Sequence, residues 1–243
     1  MVYLAALLTF LSVGSVYAAE MPRAFSFGHL LSPTTQTLKR GSATIGTSVA
    51  AVGLTDALTL GVNPFLISTE HGVFLLARGG IVAVPNRLRI SLEASYFQYS
   101  NRDWGGGAGG YFRFVTGHTL SRVYTFNLNV TYAFTNGGWF APLLLGEGWG
   151  GSHPYDYSRN LTVSSLHEVQ IDDSIGFQIE FGLSGIDKLA SHYLFGGSIL
   201  FRPWTNVLLQ AGVSAREQSH AYHGFDIWKD FSLYPEIQLQ MFL

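Results

Sequence analysis

Tyr124-Thr125-Phe126-Asn127-Leu128-Asn129-Val130-Thr131-Tyr132-Ala133-Phe134 is the stretch that decides the fold. Its even-numbered residues are Tyr124, Phe126, Leu128, Val130, Tyr132 and Phe134, all apolar or aromatic. Its odd-numbered residues, Thr125, Asn127, Asn129, Thr131 and Ala133, are small and mostly polar. Successive side chains of an extended strand point to opposite faces, so one face here is greasy with aromatic ends and the other is polar. The pattern recurs. Ile175, Phe177, Ile179, Phe181 and Leu183 alternate with Gly176, Gln178, Glu180 and Gly182. Leu88, Ile90 and Leu92 alternate with Arg89, Ser91 and Glu93, and at the C-terminus Ile237, Leu239, Met241 and Leu243 alternate with Glu236, Gln238, Gln240 and Phe242.

A secreted β-sandwich also alternates, because one face of each sheet packs on a core. The polar sets separate the two architectures. A water-exposed face is rich in Lys, Glu and Thr, whereas here the polar face is Gly, Ser, Asn, Gln and an occasional charge, which suits a crowded wet lumen. Aromatic residues at the ends of the apolar face stand where a girdle would meet lipid headgroups. The alternation predicts an all-β fold, a transmembrane antiparallel up-and-down β-barrel.

The composition agrees. Charged residues make up 12 % of the 243, about half the usual share for a soluble domain, while aromatics reach 14 % and glycine numbers 28. So much apolar surface excludes disorder. A net charge of −2 leaves no basic footprint for nucleic acid. With no cysteine, the chain has no disulfide framework, thiolate metal site or thiol nucleophile. Residues 1–19 are apolar and end in Val16-Tyr17-Ala18-Ala19, which predicts a secretion signal, with residues 20–243 as a single barrel domain. Beyond residue 20 no uninterrupted apolar run is long enough for a spanning helix. An exported chain this apolar has one other way to sit in lipid, a closed barrel.

Turn signals divide the chain into about twelve strands, with ten and fourteen as alternatives. They fall near 24–32, 41–53, 58–68, 73–84, 88–99, 110–118, 122–134, 160–171, 174–184, 191–202, 207–215 and 230–243. Tight connections at Thr55-Asp56, Pro85-Asn86-Arg87, Ser121-Arg122, Asp172-Asp173 and Pro203-Trp204-Thr205-Asn206 alternate with longer ones near 33–40, 69–72, 100–109, 135–159, 185–190 and 216–229. That alternation is expected of periplasmic turns and extracellular loops.

With these features in view, residues 20–243 resemble a bacterial outer-membrane β-barrel protein. Gly53-Leu54-Thr55-Asp56-Ala57-Leu58-Thr59-Leu60-Gly61 is similar to the strand–turn–strand of many such barrels, with Asp at the periplasmic turn. The C-terminal strand is similar to the signal read by the barrel-assembly machinery, although the aromatic Phe242 stands one place before the terminal Leu243. The resemblance implies a place in the outer membrane, contact with its lipid and lipopolysaccharide, and engagement of the assembly machinery through that strand. It implies location and architecture far better than activity.

The alternation points a set of ionisable residues inward: Arg89, Glu93, Arg113, Glu180 and Glu236, with Arg78 and Arg202 beside them. Inside a barrel they escape the roughly 2–4 kcal/mol that Arg or Lys costs when facing lipid at the midplane. Two readings stand open: a constriction that selects small solutes or ions by charge, or a polar plug of paired side chains that conducts nothing. A narrow porin-like channel is the expected function. The alternatives are a lipid-modifying barrel enzyme and a non-conducting barrel acting through its 135–159 and 216–229 loops.

The enzyme reading needs a Ser hydrogen-bonded to an oriented His, and the candidates are Ser152-His153, His167-Glu168, His220 and His223. His220 and His223, with Asp226, also have a spacing that suits a metal, but two exposed loop histidines are the simpler reading. Residues 104–111 are Gly-rich without the Gly-Lys-Ser/Thr ending of a phosphate loop, so they read as an extracellular loop. The Gly-rich stretch 146–151 reads the same way. No cofactor motif is present, and no cofactor is expected.

Overall fold

The computed structural model describes residues 28, 32–47, 49–64, 73–101, 105–135, 158–186, 192–217 and 231–242. Among them twelve strands form: β1 Ala43–Gly46, β2 Ala50–Thr55, β3 Leu58–Val62, β4 Val73–Val84, β5 Leu88–Asn101, β6 Gly105–Thr119, β7 Tyr124–Thr135, β8 Ser158–Gln170, β9 Ile175–Ser184, β10 His192–Trp204, β11 Val207–Glu217 and β12 Phe231–Met241. Each pairs antiparallel with its neighbours in sequence. β1 then pairs with β12, from Ala43 opposite Met241 to Gly46 opposite Gln238, which closes the barrel. Closure gives every strand edge a partner, the problem that any lone sheet must otherwise solve.

Turn chemistry sets the registers at one rim, where 56–57, 85–87, 120–123, 171–174 and 205–206 connect the strands. At Pro85-Asn86, Arg87 N donates to Val84 O at 3.1 Å and Asn86 takes φ 59°. Pro fixes the first central residue of such a turn, and Asn tolerates the left-handed second. At the other rim lie the opposite strand ends, among them Gly46 and Ala50, Val62 and Val73, and Asn101 and Gly105. Both ends of the wall, the start of β1 and the end of β12, lie at the short-turn rim.

Alternation becomes a division between inside and outside. Leu92, Phe112, Ile199 and Ile237 are 60–65 % exposed on the outer face, while Glu93, Glu180 and Glu236, each one residue from an exposed apolar neighbour, are at most 2 % exposed. In β7 the buried set is Asn127, Asn129, Thr131 and Ala133, with Leu128 and Tyr132 outside. The inner face is not polar throughout. Phe74 and Phe97 stack inside the barrel at 6.4 Å with Tyr111 beside them, and Leu200 and Leu208 pack with Phe242 near the short-turn rim.

Several expected boundaries differ. Most of the strand placed at 24–32 lies outside the described residues; among those described, Gly28 forms an isolated bridge with Pro33 and belongs to no named strand. The strand placed at 41–53 is two, β1 and β2, because the chain turns after Gly46, where Thr47 N donates to Ile237 O and Thr47 Oγ1 to Pro235 O. Among the described residues the strands number twelve, as expected, with β1 and β2 both inside one expected strand. The Gly-rich stretch read as a loop is strand from Gly105, paired with β5 from Asn101 opposite Gly105 to Tyr96 opposite Gly110. Glycines carry no side chain to alternate, so the pattern is silent there although the backbone ladder continues. Likewise β10 runs through Trp204, leaving only Thr205 and Asn206 in the turn.

The largest departure concerns residues 32–42. Read from sequence, 33–40 is a connection outside the wall. In the structure it lies inside the barrel, with Ser32, Thr34, Thr35, Leu38 and Ser42 buried.

Candidate functional site

The inner segment enters at the short-turn rim. Ser42 N donates to Lys39 O at 2.9 Å, closing a turn whose Gly41 has φ 81°, a left-handed conformation that a side chain would strain. From there the segment crosses the lumen and bonds one wall strand after another. Arg40 N donates to Asp56 Oδ1 at 3.0 Å, Thr37 Oγ1 to Asp56 O at 2.7 Å and Leu38 N to Thr59 Oγ1 at 2.8 Å. Farther in, Thr35 N donates to Asn127 Oδ1 at 3.2 Å, and Ser32 Oγ donates to Ser164 Oγ at 2.8 Å on β8. The wall opposite Thr35 is glycine. A Cβ on Gly117 would lie 2.5 Å from Thr35 Oγ1 and 2.8 Å from Asn127 Oδ1, so only glycine lets the segment approach there.

Arg78, Glu93, Arg113 and Thr131 are successive register partners on β4 to β7, so their inward side chains meet at one level. Glu93 Oε2 accepts from Arg78 Nε at 2.6 Å and pairs with Nη2 at 2.5 Å. Its Oε1 accepts from Arg113 Nη1 and from Tyr111 OH, both at 2.7 Å. Arg113 Nε donates to Thr131 Oγ1 at 2.8 Å, and its guanidinium lies 4.5 Å from the Tyr111 ring centroid. All four of Arg78, Glu93, Tyr111 and Arg113 are at most 3 % exposed. Charges at such depth are retained only where hydrogen bonds and opposite charge replace water.

The inner segment joins this cluster through one residue. Arg78 Nη1 donates to Gln36 O at 3.1 Å, and Arg89 Nη1 donates to Gln36 Oε1. On the facing wall a second network crosses four strands: Asn127 Nδ2 and Gln178 Nε2 donate to the two oxygens of Glu168 at 3.0 and 2.8 Å, and Ser198 Oγ donates to Gln178 Oε1 at 3.0 Å. Toward the long-loop rim, Arg216 Nη2 and Asn160 Nδ2 both donate to Ser184 Oγ.

All seven ionisable residues read as inward lie on the inner face. The structure brings Arg78, Glu93 and Arg113 into direct contact and joins Arg89 to them through Gln36. Glu180, Arg202 and Glu236 sit elsewhere on the lumen wall, where Ser214 Oγ donates to Glu236 at 3.3 Å and Arg202 lies over the Phe242 ring. Sequence reasoning missed Tyr111, Gln36 and Arg216, and read Glu168 only beside His167 in the enzyme alternative, not as a lumen residue. Tyr111 shares the parity of Arg113 and Gln36 stands in a polar run, but neither signal names a partner.

His167 stands on the outer face. Its Nδ1 is 2.7 Å from Tyr124 OH and its Nε2 is 3.2 Å from Ser165 Oγ, with the Phe126 ring centroid 5.2 Å away. Ser165 Oγ also donates to Phe181 O at 3.4 Å. Ser152, His153, His220, His223 and Asp226, like residues 1–19 and most of the 135–159 and 216–229 loops, lie outside the described residues. Among the described residues no group of three His, Cys, Asp or Glu is placed to hold a metal. Comparison with family models, curated proteins and solved structures finds no match.

Proposed function

We propose that the chain is an outer-membrane β-barrel forming a narrow channel for small solutes, held closed in this conformation by its own residues 32–42. The observation that carries this reading is an inversion. Large apolar residues are exposed all round the outside, while Arg, Glu, Gln and Asn are buried within. That arrangement suits a wall with hydrocarbon outside and polar groups inside. The segment bonds the inner wall at Asp56, Thr59, Arg78, Arg89, Asn127 and Ser164, so it stands across the path a solute would take. Its side-chain bonds to the wall contribute about 0.5–1.5 kcal/mol net for neutral pairs and about 1.5–3 kcal/mol where Arg78, Arg89 or Asp56 takes part, and breaking them unpairs no strand of the wall. Outer-membrane lipid, lipopolysaccharide and, through β12, the barrel-assembly machinery are the partners this reading implies.

Ser32→Cys with Ser164→Cys tests it, since the chain has no other cysteine and the two hydroxyl oxygens stand 2.8 Å apart. In planar bilayers the oxidised pair should show little conductance and the reduced pair unitary currents. Silence in both states, with refolded wild type equally silent, removes the channel and leaves the barrel. A gel of boiled against unboiled samples reads folding independently.

A second reading, a lipid-modifying enzyme, is favoured by one observation: Ser165, His167 and Tyr124 form a chain of contacts on the outer face. With Nδ1 donating to the phenol oxygen, Nε2 faces the Ser165 hydroxyl as a general base would. Loss of esterase activity toward phospholipid in Ser165→Ala, against an active parent, supports it. A parent without such activity dismisses it.

A further inference from the structure

Gln36 presents two oxygens, its main-chain carbonyl and its side-chain Oε1, and each accepts from a different arginine, Arg78 on β4 and Arg89 on β5. Two guanidinium groups converging on two oxygens of one residue put paired positive charge where a carboxylate or a phosphate is recognised. A peptide carbonyl and a neutral amide oxygen fill it here, each accepting from one guanidinium, without the charge. Arg78 is fixed from behind, because Glu93 holds its Nε and Nη2 and leaves Nη1 aimed at Gln36. Arg89 is half-buried, in the second position of β5 beside the 85–87 turn of the short-turn rim.

We propose that Gln36 is an internal stand-in for an anionic solute. Arg78 and Arg89 form a lumen site for a carboxylate or phosphate group, which such a solute occupies when residues 32–42 withdraw. The inference deepens the channel reading by naming the class of solute. A ligand and the segment then compete for the same two donors, so an anion at the rim favours the withdrawn state by binding only that state.

Calorimetric titration of the full chain refolded in neutral detergent tests the site without requiring conductance. Succinate and inorganic phosphate serve as separate probes in wild type, Gln36→Ala and Gln36→Ala with Arg89→Gln. Gln36→Ala should bind one of the probes more tightly than wild type, and the added Arg89→Gln should weaken that binding about tenfold, as expected for one charge-assisted hydrogen bond. Preference for succinate assigns a planar carboxylate, and preference for phosphate a tetrahedral anion. No binding by Gln36→Ala, or binding indifferent to Arg89→Gln, overturns the site. Gln36→Glu guards against a misfolded alanine variant: it puts a true carboxylate between the arginines, and should unfold at higher temperature than wild type and exclude both probes. A lower unfolding temperature in Gln36→Glu overturns the proposal as well. Binding with no conductance in any variant would sink the channel reading and leave the anion site standing.

Discussion

At the scale of single residues, Glu93 carries the most consequence. One carboxylate satisfies Arg78, Arg113 and Tyr111 together, so its neutral isostere leaves two buried guanidinium groups without their counter-charge. Glu93→Gln should lower stability by about 3–5 kcal/mol, read from guanidinium unfolding in detergent, because removing one partner of a buried pair strands the other. Asp172 behaves differently because it is fully exposed. Its Oδ1 accepts from Ser174 N at 2.7 Å and from Ser174 Oγ and Ile175 N, both at 2.8 Å. The Ser174 amide and then its hydroxyl hold the carboxyl below its usual range. A carboxyl with a lowered folded pKa adds stability that is complete above about pH 4 and lost as pH falls through the lowered value. Amide exchange at Ser174 and Ile175 should therefore speed up below that pH beyond the intrinsic trend, and Asp172→Asn should abolish the step. That Arg89, Glu93 and Arg113 face inward was legible from parity alone. Their pairing was not, because it depends on which residue of the next strand stands opposite, and the turn and bulge at 82–88 set that.

At the scale of elements, β1 is the exception. It has four residues and four partners on β12, whereas β11 and β12 share eleven. A ladder so short has few bonds to break before it opens. Exchange at the amides of Ala43–Gly46 should be faster than at Val207–Glu217, and equal protection would contradict it. β7 and β9 were the most legible, because side chains of opposite character alternate along ten residues or more. β1 was hidden inside a longer expected strand, and the first half of β6 was hidden by glycines. The inner segment was the least legible of all. Its residues show no period, and what holds them is spread over strands from β3 to β8, contacts made only once the wall has curved round them.

For the molecule as a whole, the outer face decides between lipid and water. Ile199, 64 % exposed on β10, points outward among Phe201, Leu209 and Ile237. Ile199→Arg should cost about 2–4 kcal/mol for folding into a bilayer if that face meets hydrocarbon at depth. A negligible cost would place it in water instead. The Gly41 turn has a consequence for how such an object comes into being. It joins the cork to the first stave: the four-pair seam that closes the cylinder begins immediately after the peptide that stops its bore. A nascent sheet that draws that stave into line also carries the stopper to the mouth of the bore, so sealing the circumference delivers the means of sealing the passage.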